Sequence, residues 1–176
     1  MNILSFGASS SKNSINKVLA TYAASLVPDA TVEVIDLNDF ELPLFSVDLE
    51  KELGSPIAAQ ALFNKIGQAD ALVIAFAEHN GSYTAAYKNM FDWLSRIHPK
   101  VFQNKPMVLL ATSPGVGGAA NVLKSAVTSA PHFAGVVKGS LSIKSFYDNF
   151  DLEKNELKNA EIKQVLTEMM SVVFRQ

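Results

Sequence analysis

Two unbroken apolar runs constrain this chain most. Ala71–Ala77 reads Ala-Leu-Val-Ile-Ala-Phe-Ala, and Met107–Thr112 reads Met-Val-Leu-Leu-Ala-Thr. Neither alternates with polar residues, so neither suits a sheet with one wet face. Such runs fit strands buried on both sides, as in parallel sheets covered by helices. Weaker strand patterns at Asn2–Phe6, Val32–Asp36 and Gly139–Ile143 complete a set of about five. Between them lie helical patterns at Ser14–Leu26, Ser55–Ile66, Thr84–Ile97, Gly118–Ala130 and Lys154–Phe174. Ser55 is expected to cap the second of these, with Pro56 at its first helical position. Leu42–Gly54 is expected to be an irregular surface loop. The β-α alternation predicts an open, doubly wound α/β sheet. With 176 residues, the expectation is one domain over residues 1–176.

Such a sheet binds ligands beyond the carboxyl ends of its strands. The loops after the first, third and fourth strands are Gly7–Asn16, Glu78–Thr84 and Ser113–Gly118, all rich in Gly, Ser and Asn. The first opens a helix, whose N-terminus offers unpaired N–H groups and partial positive charge. Ser9, Ser10, Ser11 and Ser14, the amides of Asn13 and Asn16, and Lys12 accompany it. That set suits a terminal phosphate, although Ser14 could equally be a plain helix cap. A local donor set is needed, because the formal net charge of −2 provides no global attraction for an anion or for nucleic acid.

Spelling removes rivals. A Walker A loop needs glycine before its lysine, and Ser11 precedes Lys12. A dinucleotide fingerprint needs Gly-x-Gly-x-x-Gly, and Gly7 stands alone, although Asp36 ends the second strand where a ribose-binding acid would sit. A receiver domain needs acids at the end of the first strand, and Ile3–Phe6 has none. The chain has no cysteine, which excludes thiolate catalysis, disulfides and Cys-based metal sites. His79, His98 and His132 have no metal-ligand spacing, so no metal site is expected. No signal peptide or membrane-spanning run is evident, and a cytoplasmic protein is expected.

The second loop reads Glu78-His-Asn-Gly-Ser82, and the helix after it carries Lys88, Asn89, Asp92 and Trp93. This resembles the NADPH-dependent FMN reductase family, with its Pro-Glu-Tyr-Asn-Gly-Ser loop and Lys-Asn-x-x-Asp-Trp helix. Gly7, Ser9, Ser14 and Asn16 also match the family's first loop. Ala77, His79 and Thr84 depart from it, replacing Pro, Tyr and Pro.

The resemblance implies a flavodoxin-like three-layer sandwich with a five-stranded parallel sheet in the order 2-1-3-4-5. It implies FMN held by Ser9, Ser11, Lys12, Ser14, Ile15 and Asn16 at the phosphate. Glu78, His79, Asn80, Gly81 and Ser82, with Ser113, Gly115 and Gly117, would border the ring. NADPH or NADH would be the reductant, and a quinone, azo compound, metal ion or free flavin the acceptor. Because the flavin carries the chemistry, no catalytic side chain is expected. Alternatives from other classes are a non-enzymatic electron carrier and a flavin-free binding domain. Helix 84–97 is apolar on two stripes, Tyr87, Phe91 and Leu94 beside Ala86, Met90, Trp93 and Ile97. It is expected to meet a second subunit in a homodimer or homotetramer.

Overall fold

A computed structural model describes residues 1–173. Strand β1 (Asn2–Ala8) leads into helix α1 (Ile15–Ser25), then β2 (Thr31–Val34), α2 (Val47–Leu53) and α3 (Ile57–Gln68). Strand β3 (Ala71–Phe76) is followed by a small hairpin, β4 (Glu78–His79) and β5 (Ser82–Tyr83), and by α4 (Ala85–Ile97). Then come β6 (Pro106–Thr112), α5 (Ala120–Ser129), β7 (Val136–Ile143) and the single turn α6 (Phe146–Asn149). A second hairpin, β8 (Phe150–Asp151) with β9 (Glu156–Leu157), precedes α7 (Ala160–Val173).

Five strands form one sheet in the order β2-β1-β3-β6-β7, every pair parallel. Leaving out the two hairpins, this is the expected order 2-1-3-4-5. The apolar runs behave as their composition requires. In β3, Leu72, Ile74 and Phe76 enter the core beneath α3, α4 and α5. Ala71, Val73 and Ala75 enter the opposite core, beneath α1 and α7. All six are essentially inaccessible. Burying each large one contributes about 2 kcal/mol relative to exposure.

Several boundaries differ from expectation. The Leu42–Gly54 segment contains α2, capped by Ser46, whose Oγ accepts from Leu49 N at 3.1 Å. This helix buries none of its residues, so it lacks the apolar stripe that periodicity detects. Pro56, not Ser55, caps α3, and it makes no side-chain cap bond. Residues 154–159 are not helical. Asp151 Oδ1 accepts from the N–H groups of Glu153 and Lys154, and Asn155 takes a positive φ, which turns the chain into the β8–β9 hairpin. Asn159 then caps α7 through Oδ1. Phe174, the predicted end of that helix, lies outside the described residues. Among them, no helix is long and apolar enough to cross a membrane.

Candidate functional site

The loops after β1, β3 and β6 meet at the carboxyl edge of the sheet, around a cleft of about 310 Å³. That volume is near the lower end of small-molecule sites, about 300–1,000 Å³. Of the anticipated residues, Ser9, Ser11, Ser14, Ile15, Asn16, Glu78, His79 and Ser113 line it. Lys12 faces grooves on either side of the first loop instead. Asn80, Gly81 and Ser82 form the exposed tip of the β4–β5 hairpin, and Gly115 and Gly117 lie on the exposed part of the third loop.

The first loop is shaped by close packing. Gly7, the last residue but one of β1, lies directly beneath α1, where a Cβ would lie 2.5 Å from Lys17 N. Beyond it, Ser9 Oγ accepts from Ser11 N at 3.1 Å, folding the loop back on itself. Ser14 caps α1, its Oγ accepting from Lys17 N at 3.2 Å. The N–H groups of Ile15 and Asn16 then have no intrahelical acceptor. No acidic residue occupies the first turn, so the positive end of the helix dipole faces the cleft uncompensated.

Asn16 has a different part from the anticipated one. Its side chain is buried and bonds both ways with the backbone of Thr112, donating to the carbonyl at 3.1 Å and accepting from the N–H at 3.0 Å. The side chain therefore braces the first loop to the third, and only its backbone N–H is left for an anion. Asp36 is equally committed. Oδ2 accepts from Lys17 Nζ at 2.6 Å, and Oδ1 accepts from Asn38 N at 2.9 Å. The Lys17 hydrogen bond, then that of the Asn38 N–H, holds this carboxyl below its ordinary value. A depressed folded-state value means that the pair stabilises the fold above the usual carboxylate range. That contribution fades as pH falls through it. A carboxylate so engaged is not free for a ribose, which removes the dinucleotide reading.

In the second loop, Asn80 at φ 53° and Gly81 at φ 77° form the two-residue turn. Both left-handed angles match the primed turns that tight hairpins require, for which Asn-Gly is the preferred pair. Glu78 reaches away from the hairpin to α5. Its Oε2 accepts from Val122 N at 2.9 Å, and its Oε1 lies 3.4 Å from Asn121 Nδ2. The N-cap of α5 is Ala119, which has no side-chain cap to offer. Glu78 caps the helix from a distance and so fixes the second loop against the third. Glu78→Ala should cost about 1–2 kcal/mol of stability. Glu78→Gln, which retains an acceptor oxygen, should recover most of it in thermal melts. Equal melting points for Ala and wild type would remove this role.

Thr84, where the family motif has proline, caps α4 and donates from Oγ1 to the Ala8 carbonyl at 3.0 Å. The helix motif is also structural. Asn89 Oδ1 accepts from Phe45 N, Asn89 Nδ2 and Trp93 Nε1 donate to the Pro43 carbonyl, and Lys88 pairs with Asp92. Trp93, 1% exposed, packs edge-on against Phe45 at 5.1 Å. The Met90 and Trp93 stripe, expected to meet a partner, thus covers this chain's own 37–45 segment.

The third loop is tied to the end of β7. Ser145 N donates to the Gly115 carbonyl and Phe146 N to the Ser113 carbonyl. Ser142 Oγ donates to the Gly118 carbonyl at 2.7 Å. Gly118 has φ 58° and no room for a Cβ, whereas a Cβ at Gly115 or Gly117 would meet nothing within 4 Å. Tyr147, on α6, also lines the cleft. No sequence motif points to it. The available signal was its place just after the fifth strand, whose carboxyl end shares this edge of the sheet. Among the described residues, no group of three or more His, Asp or Glu could hold a metal ion.

A hydroxyl-lined helix N-terminus at one end and a slot between two loops at the other fit a phosphate monoester joined to a flat ring. The doubly wound sheet and this site define a flavodoxin-like protein. Within that class the chain belongs to the NADPH-dependent FMN reductase family, whose sequence model matches residues 1–148. It is 36% identical over 110 residues to a quinone reductase of Escherichia coli, a stretch covering 62% of this chain and 58% of that one. It is 32% identical over 155 residues to the NADPH:quinone oxidoreductase of Arabidopsis thaliana, covering 85% and 78%. The fold matches FerB, a flavoenzyme NAD(P)H:(acceptor) oxidoreductase from Paracoccus denitrificans, with a TM-score of 0.81 at 22% identity over 98% of this chain and 94% of that one.

Proposed function

We propose that this protein is an FMN-dependent NAD(P)H oxidoreductase that reduces quinones or similar flat acceptors. The observation that carries the reading is the uncompensated N-terminus of α1, opening between Ser9, Ser11 and Ser14 into the cleft shared with the other two loops. Family membership and the two quinone-reducing relatives support it. When bound, FMN would supply the redox chemistry between NADPH or NADH and a quinone, azo compound, metal ion or free flavin.

The chain's own work is binding and orientation. Ser9, Ser11 and Ser14, with the N–H groups of Ile15 and Asn16, would hold the phosphate, and Lys12 would add charge at its rim. The hairpin His79–Ser82 and the loop Ser113–Gly117 would border the ring, their spacing set by Glu78 on α5 and Asn16 on Thr112. Of the acid and imidazole side chains lining the cleft, Glu78 is committed to α5 and His79 belongs to the exposed hairpin. No side-chain proton transfer is therefore assigned.

We also place a homodimer contact along α4, where Tyr83, Phe91 and Phe133 leave a half-exposed aromatic groove of about 250 Å³. A cytoplasmic setting accords with the absence of cysteine. The test is uptake of FMN by purified protein, followed by NADPH oxidation with benzoquinone. A colourless protein that takes up no FMN overturns the proposal, and FMN uptake without turnover reduces it to an electron carrier.

A further inference from the structure

Tyr147 belongs to no motif, yet it is the part of the cleft built most deliberately. The residue is 55% exposed, but the backbone from Ser145 to Tyr147 is held at three points. Ser145 N donates to the Gly115 carbonyl at 2.9 Å, and Phe146 N donates to the Ser113 carbonyl at 3.0 Å. Lys158 Nζ donates to the carbonyl of Tyr147 itself at 2.7 Å. Its neighbour Phe146 is fully buried, stacks on Phe150 at 4.9 Å and meets the Tyr147 ring edge-on at 5.5 Å. Ser145, at φ 45° and ψ 61°, turns the chain sharply off β7 to bring this about. A non-glycine residue in that region costs about 1 kcal/mol or more and persists only where its surroundings enforce it.

Tyr147 borders two cavities. One is the cleft, and the other is a groove of about 560 Å³ that runs along α1 past Val18 and Leu152. Four residues are common to both: Asn13, Ser14, Ile15 and Tyr147. Three of these are the phosphate loop, so the tyrosine is the detachable part of the partition and stands at its phosphate end.

We infer that Tyr147 is a cofactor-retaining residue, its ring forming the outer wall over the phosphate end of FMN. This rests on the reading that the cleft holds FMN. With the ring in place, water is kept from one side of the anion, and the donors of Ser9, Ser14 and the helix N-terminus act across a less polar medium, where charge interactions strengthen. Without it the cleft and the groove merge, and the phosphate gains an exit along α1. The wall is the ring itself, so phenylalanine should serve as well.

The experiment compares full-length wild type, Tyr147→Ala and Tyr147→Phe, with melting points of the FMN-free proteins as a check on folding. FMN affinity and release rate are read from flavin fluorescence, and the bound phosphate from its phosphorus NMR resonance. Tyr147→Ala should weaken FMN binding about tenfold, mainly through faster release. It should move the phosphorus resonance and leave the visible flavin absorption maximum unchanged. Tyr147→Phe should stay within about twofold of wild type. The inference is overturned if Tyr147→Ala also stays within about twofold, if Tyr147→Phe loses as much as Tyr147→Ala, or if the absorption maximum moves while the phosphorus resonance does not. Wild type that takes up no FMN rejects instead the reading beneath it.

Discussion

Alanine at position 7 should lower the melting point by roughly 10 °C and abolish FMN uptake at ambient temperature. Gly7 lies near the end of β1, which is paired with β2 on one side and β3 on the other. A Cβ there would sit 2.5 Å from Lys17 N, 2.8 Å from Lys17 Cα and 3.0 Å from Lys17 Cβ. Two of the three atoms are backbone in the first turn of α1, so no rotamer change relieves the clash. The helix must lift from the sheet, or β1 must shift between its neighbours. Overpacking of this kind costs about 1–3 kcal/mol, and a contact with backbone belongs at the top of that range. At about 2–4 °C per kcal/mol for a chain of this size, the shift is readily measured. The functional loss follows from the same movement, because Ser14 and the N–H groups of Ile15 and Asn16 ride on α1. Thermal melts and FMN titration of Gly7→Ala check both effects. An unshifted melting point would mean that α1 does not pack as closely as described.

The layout of the fold was legible wherever one local pattern dominated. The unbroken runs of β3 and β6 left no reading except strands buried on both faces, and Ser14 marked the start of α1 to the residue. The three loops were legible because their positions follow from strand order alone. What the sequence hid falls into two kinds. Short elements are the first: α2 buries nothing, and the β8–β9 strands, two residues each, are too brief to write a periodic signal although Phe150 and Leu157 are buried. Long-range commitments are the second kind. Asn16 reads as an anion ligand until Thr112, 96 residues away, is seen to hold its amide. Glu78 reads only as part of the ring slot until its carboxylate is found capping α5, which lacks its own cap. Trp93 reads as an interface residue until the Pro43 carbonyl is found on its indole nitrogen. In each case the residue type is legible and its partner is not, because side-chain partners across the sheet leave no trace in local spacing.

Aspartate at position 14 should separate folding from cofactor binding more cleanly than any other change. Ser14 is the N-cap of α1, at φ −65° and ψ 115°, and its Oγ accepts from Lys17 N. Aspartate caps helices as well as serine does, and a negative charge at this end of a helix is worth about 0.3–1 kcal/mol. The FMN-free variant should therefore melt at or slightly above the wild-type temperature. FMN binding should move the opposite way. A carboxylate about 4 Å from a phosphate charge repels it by about 4 kcal/mol at the effective dielectric of a protein surface, which corresponds to roughly a thousandfold loss of affinity. Ser14→Asn, a neutral cap of the same shape, should bind FMN within about tenfold of wild type. Riboflavin, which has no phosphate, should distinguish charge from distortion, since its affinity should be the same in wild type and Ser14→Asp. If riboflavin binding falls with FMN binding, the aspartate has disturbed the slot. If neither falls, the phosphate does not lie at the N-terminus of α1, and the placement of the cofactor in this cleft fails with it.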